Sequence, residues 1–141
     1  MNRSESYWEH FPHGADVGIR GVGPTLEAAF ERAAEGVIAV ITDPAHVEPR
    51  ESVAVELQAP DPEILLVDWL NAIIYEIATR RMLFGRFRVS IEGTRLKGTL
   101  EGESIAALRH EPAVELKGAT FTALKVANAN GRWTAQCVVD V

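Results

Sequence analysis

Cysteine is all but missing from this chain of 141 residues, which carries one, Cys137. A single cysteine excludes an internal disulfide, gives no support to a cysteine-built zinc site, and fits a reducing compartment. Long apolar runs are missing too. No stretch approaches the roughly 18 residues a membrane-spanning helix requires. The opening "MNRSESYWEH" has no secretory hydrophobic core, and residues 1–6 read as a flexible polar tail. The cytoplasm is the expected compartment. Clustered positive charge is the third absence. Twenty acids against fourteen bases leave a net charge of −6, with no run of five or more Lys/Arg. Nucleic-acid affinity comes largely from neutralising phosphates with such clusters, so a role in an RNA pathway leaves the RNA to a partner. No repeat, low-complexity segment or dividing linker interrupts the chain, and one domain over 1–141 is expected, long enough to bury a core unaided.

Two helices and a set of alternating strands are present. In "PTLEAAFERAAEGVIAVI", Thr25 suits an N-cap, and Leu26, Phe30, Ala33, Ala34, Val37, Ile38 and Ile41 recur at helical spacing. That pattern leaves Glu27, Glu31, Arg32 and Glu35 facing outward. In "DPEILLVDWLNAIIYEIATRR", Asp61 caps, Pro62 takes the first helical position and Arg80–Arg81 favour the C-terminal end. Elsewhere the period is two: Val53, Val55 and Leu57; Phe87, Val89 and Ile91; and, after the turn "EGTR", Leu96, Gly98 and Leu100. Asn130–Gly131 predicts a final hairpin. Strands with one polar face imply an α+β, two-layer domain: a mostly antiparallel sheet with two main helices packed on one face. Residues 103–113 fit neither period.

Chemistry-bearing side chains are few. Asp16 sits in "FPHGADVGIRGVG", two residues after His13–Gly14, where an aspartate is ordinarily a turn former. On the last strand, Asp140 alternates with the core-facing Trp133, Ala135, Cys137 and Val139, and so points away from the core beside the carboxylate of Val141. If the fold brings Asp16 to that pair, three oxyanions meet and suit a hard cation; otherwise they are a turn and a solvated chain end. His10, His13, His46 and His110 lack the spacing of a zinc site. No nucleophile elbow supports a Ser–His–Asp triad, and "GVGPT" lacks the lysine of a phosphate loop. Asp68, Asn71 and Tyr75 share one helix face and read as its solvated side. Lys117, in "VELKGAT", reads as a sheet lysine with its ammonium in water. No catalytic residue is assigned.

The order of four segments resembles the archease family: "HGADVGIRGVGPTLEAAFERAA", "DPEILLVDWLNAIIYE", "ELKGATFTALKV" and the ending "WTAQCVVDV". The similarity runs from about Tyr7 to Val141. It implies a small cytosolic accessory protein of the GTP-dependent RNA ligase that joins tRNA halves. It also implies a divalent cation, Ca²⁺ or Mg²⁺ with Mn²⁺ as a third option, held by Asp16, Asp140 and the Val141 carboxylate at the tip of the domain. Lys117 and His13 are implied in ligase activation. On this expectation the chain is no enzyme: it promotes guanylylation and multiple turnover of the ligase, which alone uses GTP, and it meets RNA only indirectly and no membrane. The alternatives are a small metal-dependent phosphohydrolase using the same carboxylates and a chaperone-like scaffold without chemistry.

Overall fold

Thr25 and Asp61 each start a helix. In the computed structural model, which describes residues 5–107 and 114–141, Thr25 Oγ1 accepts a 3.0 Å hydrogen bond from the Ala28 N–H and opens α1 (Leu26–Ala39). Asp61 Oδ1 accepts one of 2.9 Å from the Ile64 N–H and opens α2 (Pro62–Arg80). These caps satisfy backbone donors that have no partner inside the helix. Arg81, in the left-handed region with φ +53°, ends α2.

The strands are β1 (Tyr7–His13), β2 (Asp16–Gly23), β3 (Glu51–Gln58), β4 (Met82–Glu92), β5 (Arg95–Ser104), β6 (Gly118–Ala119), β7 (Lys125–Ala129) and β8 (Arg132–Asp140). Every pairing among the described residues is antiparallel. The "EGTR" hairpin joins β4 to β5 and the Asn130–Gly131 hairpin joins β7 to β8, as predicted. Both turn residues of the latter have positive φ, which asparagine and glycine tolerate.

The α+β class, the antiparallel pairing and the two main helices are as expected. Among the described residues the strands divide over two sheets. One has the order β1-β2-β8-β6, with β7 also on β8; the other has the order β3-β5-β4. The helices touch both. On one side, Gly21 of β2 lies so close to α1 that a Cβ there would come within 2.1 Å of the Ala29 carbonyl oxygen. On the other, Gly98 of β5 lies beneath the fully buried Trp69 of α2. The Trp69 indole N–H donates to the Phe30 carbonyl at 3.0 Å, tying α2 to α1, and its ring meets Phe87 edge-on at 6.2 Å.

This arrangement corrects one expectation. Glu31, Arg32 and Glu35 are half-buried instead of facing open solvent. The Glu31 carboxylate accepts from the Val89 N–H of β4 at 2.8 Å, and Arg32 pairs with Glu35 at 2.9 Å. Burial pushes the Glu35 carboxyl above its ordinary value, against the opposing pull of Arg32, with Glu31 adding to the rise.

At the chain's start, Glu5 pairs with Arg132 and Ser6 accepts from Arg32. Of the unassigned 103–113 stretch, Glu103 and Ser104 finish β5 and Ile105–Ala107 form a 3-10 turn; residues 108–113, with His110, lie outside the described ones. Among the described residues no helix is long and apolar enough to cross a membrane.

Candidate functional site

The hairpin between β1 and β2 is built from "HGAD". Gly14 and Ala15 form its two-residue turn, and Gly14 has φ +60°, a region open to glycine and strained for other residues. The turn makes His13 and Asp16 its closing pair, directly opposite one another. Next along the sheet, β2 pairs with β8. The final register pair, Val17 with Val139, makes Asp16 and Asp140 the next positions on adjacent strands. Asp140 in turn stands opposite Gly118 of β6, and the Lys117 N–H donates to the Asp140 carbonyl at 2.9 Å.

His13, Asp16, Asp140 and the Lys117–Gly118 step therefore form one row across four strands, at one end of the larger sheet. Side chains four residues further in define the face. Arg20 donates to Gln136 at 2.9 Å and to Glu9, across β1, β2 and β8. By the period of two, His13, Asp16 and Asp140 belong to this same face, which is turned away from the helices. Between the two rows Phe11 lies over Gly18, and the Arg20 guanidinium stacks over the Phe11 ring at 4.7 Å. His13 and Lys117 are exposed; Asp16, Asp140 and Val141 are half-buried.

Among the described residues neither Asp16 nor Asp140 forms an ion pair with Lys, Arg or His. Two carboxylates in one row, neither of them ion-paired among the described residues, are oxygen donors of the kind a hard cation takes. No set of three or more His, Cys, Asp or Glu side chains among the described residues could hold a metal. Any cation here therefore relies on these two carboxylates plus main-chain or terminal oxygens and water. The donor set fits Ca²⁺ or Mg²⁺ in chemistry, and zinc poorly. His10, by contrast, packs on Trp8 with its Nε2 2.8 Å from the Gly36 carbonyl, and His46 lies near Asp43.

Sequence reasoning missed Asn71. It belongs to a helix face that reads as solvated, and it is exposed, yet its amide makes two hydrogen bonds to Ala119. A cleft of about 300 Å³ lies elsewhere, lined by Glu56, Leu57, Gln58, Arg95, Leu96 and Lys97 of β3 and β5; it contains none of the row's residues.

Comparison with known proteins agrees with this architecture. A sequence model of the Archease protein family (MTH1598/TM1083) matches residues 8–141. The protein archease of Thermococcus gammatolerans is 41% identical over 139 residues, covering 95% of this chain and 98% of its own. The solution structure of Methanobacterium thermoautotrophicum protein 1598 superposes with a TM-score of 0.84 at 33% identity, covering 99% of this chain and 100% of its own. An archease crystal structure from Thermotoga maritima shares the fold, with a TM-score of 0.60 at 20% identity over 94% of this chain and 96% of its own.

Proposed function

The chain belongs to the archease family, and from that premise we propose that it is a non-enzymatic activator of a GTP-dependent RNA ligase. The observation that carries the reading is the row itself: strand register sets two aspartates side by side, with the Lys117 N–H bonded to the main-chain carbonyl of one of them, Asp140. In this reading Asp16, Asp140 and the Val141 carboxylate hold a divalent cation. When bound, such an ion supplies concentrated positive charge to phosphate oxygens.

The chain's own residues do the rest. In this reading Lys117, whose main chain joins the end of the row, adds an ammonium near the bound ion, a point charge suited to a phosphate. His13, at the rim of the same face, offers a hydrogen bond to the partner. Phosphoryl and nucleotidyl transfers are accelerated chiefly by positioning and by opposing charge. A protein that brings both to the ligase needs no nucleophile of its own. A net charge of −6 accords with RNA contacts belonging to the ligase.

The test incubates the purified protein with GTP and RNA ends, alone and with a GTP-dependent RNA ligase. Faster guanylylation and repeated turnover only in the mixture support the proposal. Hydrolysis or joining by the protein alone favours the phosphohydrolase. Binding to the ligase without acceleration favours the scaffold.

A further inference from the structure

We propose that Asn71 is a positioning residue for Lys117, acting through the backbone of β6; this rests on the ligase-activation reading. The strand that carries Lys117 into the row is short. β6 has two residues, and on its inner side the segment is held to β8 by the Lys117 N–H to the Asp140 carbonyl and the Thr120 N–H to the Val138 carbonyl, each 2.9 Å. Its outer side is a sheet edge, where the peptide groups of a strand ordinarily have no partner.

At that edge the Asn71 side chain takes the place of a neighbouring strand. Its Oδ1 accepts from the Ala119 N–H at 2.8 Å, and its Nδ2 donates to the Ala119 carbonyl at 3.4 Å. A primary amide carries an acceptor and donors together, so one asparagine can satisfy both main-chain groups of one residue. Aspartate retains only the acceptor and sets a second oxygen against the Ala119 carbonyl. A Cβ on Gly118 would come within 3.3 Å of the Asn71 oxygen, so the backbone passes close beneath the amide. The platform is firm, because neighbours Trp69, Leu70 and Ile73 on α2 are fully buried.

The amide therefore clamps the backbone two residues from Lys117, on the side that β8 leaves open. Lys117 has a flexible four-carbon stem, so the direction of its Cα–Cβ bond decides the volume its ammonium sweeps. Fixing Ala119 fixes that direction relative to Asp140. Both side-chain hydrogen bonds of Asn71 go to Ala119 and none to Asp16 or Asp140, so its effect passes through β6.

The experiment compares wild type with Asn71→Ala and Asn71→Asp. Alanine is the best helix former, so α2 is retained. Amide hydrogen exchange at Ala119 is read by NMR, and ligase guanylylation is titrated to saturation with each variant. In Asn71→Ala, Ala119 exchange should rise about five- to ten-fold, the loss of one net hydrogen bond. Maximal stimulation should fall while the half-saturating concentration and cation affinity stay at wild-type values. Asn71→Asp should lie between the two. Unchanged exchange at Ala119 overturns the clamp. Faster exchange with full maximal stimulation overturns the positioning role, as does a loss confined to the half-saturating concentration, which reports only less folded protein. A wild-type chain that leaves the ligase unstimulated sinks the ligase reading, and the functional half of this proposal with it. Ala119 exchange then still decides the clamp.

Discussion

Val17 of β2 stands opposite Val139 of β8, and this pairing makes neighbours of Asp16 and Asp140. Two carboxylates in such positions repel, and among the described residues no basic side chain pairs with either. Asp16→Asn and Asp140→Asn should therefore keep or slightly raise thermal stability in the absence of divalent ions, since like charges opposite one another are destabilising. Added Ca²⁺ or Mg²⁺ should raise the melting temperature of wild type and not of the variants. A ligand at 100 times its Kd stabilises by about 2.7 kcal/mol, well within reach of a thermal-shift measurement. Equal shifts in all three proteins would remove both aspartates from the site.

Lys117→Ala should impair ligase stimulation more than it impairs cation binding. An ammonium near a bound cation opposes it, since like charges repel, so its removal should leave cation affinity unchanged or increased. Calorimetry and a guanylylation assay on the same preparation separate the two effects. Full stimulation by the variant would return Lys117 to the status of a surface lysine.

Extending the chain beyond Val141 converts its carboxylate into an amide carbonyl and removes one of three proposed anionic donors. Cation affinity should fall markedly, because hard cations depend on ligand charge, and stimulation should fall with it. The comparison is a tag at the C-terminal side against one ahead of "MNRSES". Identical behaviour would leave Asp16 and Asp140 to act with other oxygens.

Glu35 contributes a pH dependence of stability. Its carboxyl is held above the ordinary value of 4.5, chiefly by burial and against the pull of Arg32. The folded state thus binds this proton more tightly than the unfolded state. The resulting stabilisation is complete below about pH 4.5 and is lost as pH rises through the raised folded value. Glu35→Gln should flatten stability between pH 4 and pH 7 in urea titrations at several pH values. An unchanged slope would show that the proton is held elsewhere.

Gly21→Ala should destabilise strongly. The added methyl group meets the Ala29 carbonyl oxygen at 2.1 Å and the Ala33 nitrogen at 2.3 Å, both backbone atoms that no rotamer change can move. Overpacking of this kind costs about 1–3 kcal/mol or more. Denaturant titration should show a lower midpoint with an unchanged slope.

Local signals account for what the residues revealed in advance. Thr25 and Asp61 cap as their chemistry predicts, and Asn130–Gly131 turns where it should, because each depends on a few neighbouring residues. The division into two sheets depends on which strands meet, and alternation reports only which face is apolar. Glu31 reads as solvent-facing because helical periodicity is blind to β4 passing over it. The row of His13, Asp16 and Asp140 joins residues from opposite ends of the described chain. Spacing carries no register between such segments, so the family resemblance, not periodicity, linked them. Asn71 stayed hidden because an exposed helical asparagine looks the same whether it meets water or the edge of β6.

β8 lies inside its sheet, with β2 on one flank and β6 and β7 on the other. During synthesis β1 and β2 emerge early and close their hairpin, but their inner edge finds no partner until residues 132–140 have been made. α1, which rests on β2 and β8 together, waits as well. The larger sheet can thus be completed only after nearly all the described chain has left the ribosome, through contacts of long sequence separation that slow folding. The proposed cation-binding row forms last, at the moment the sheet closes. A nascent or truncated chain would present the hairpin bearing Asp16 without Asp140 beside it, so competence to hold an ion would itself report that folding is finished.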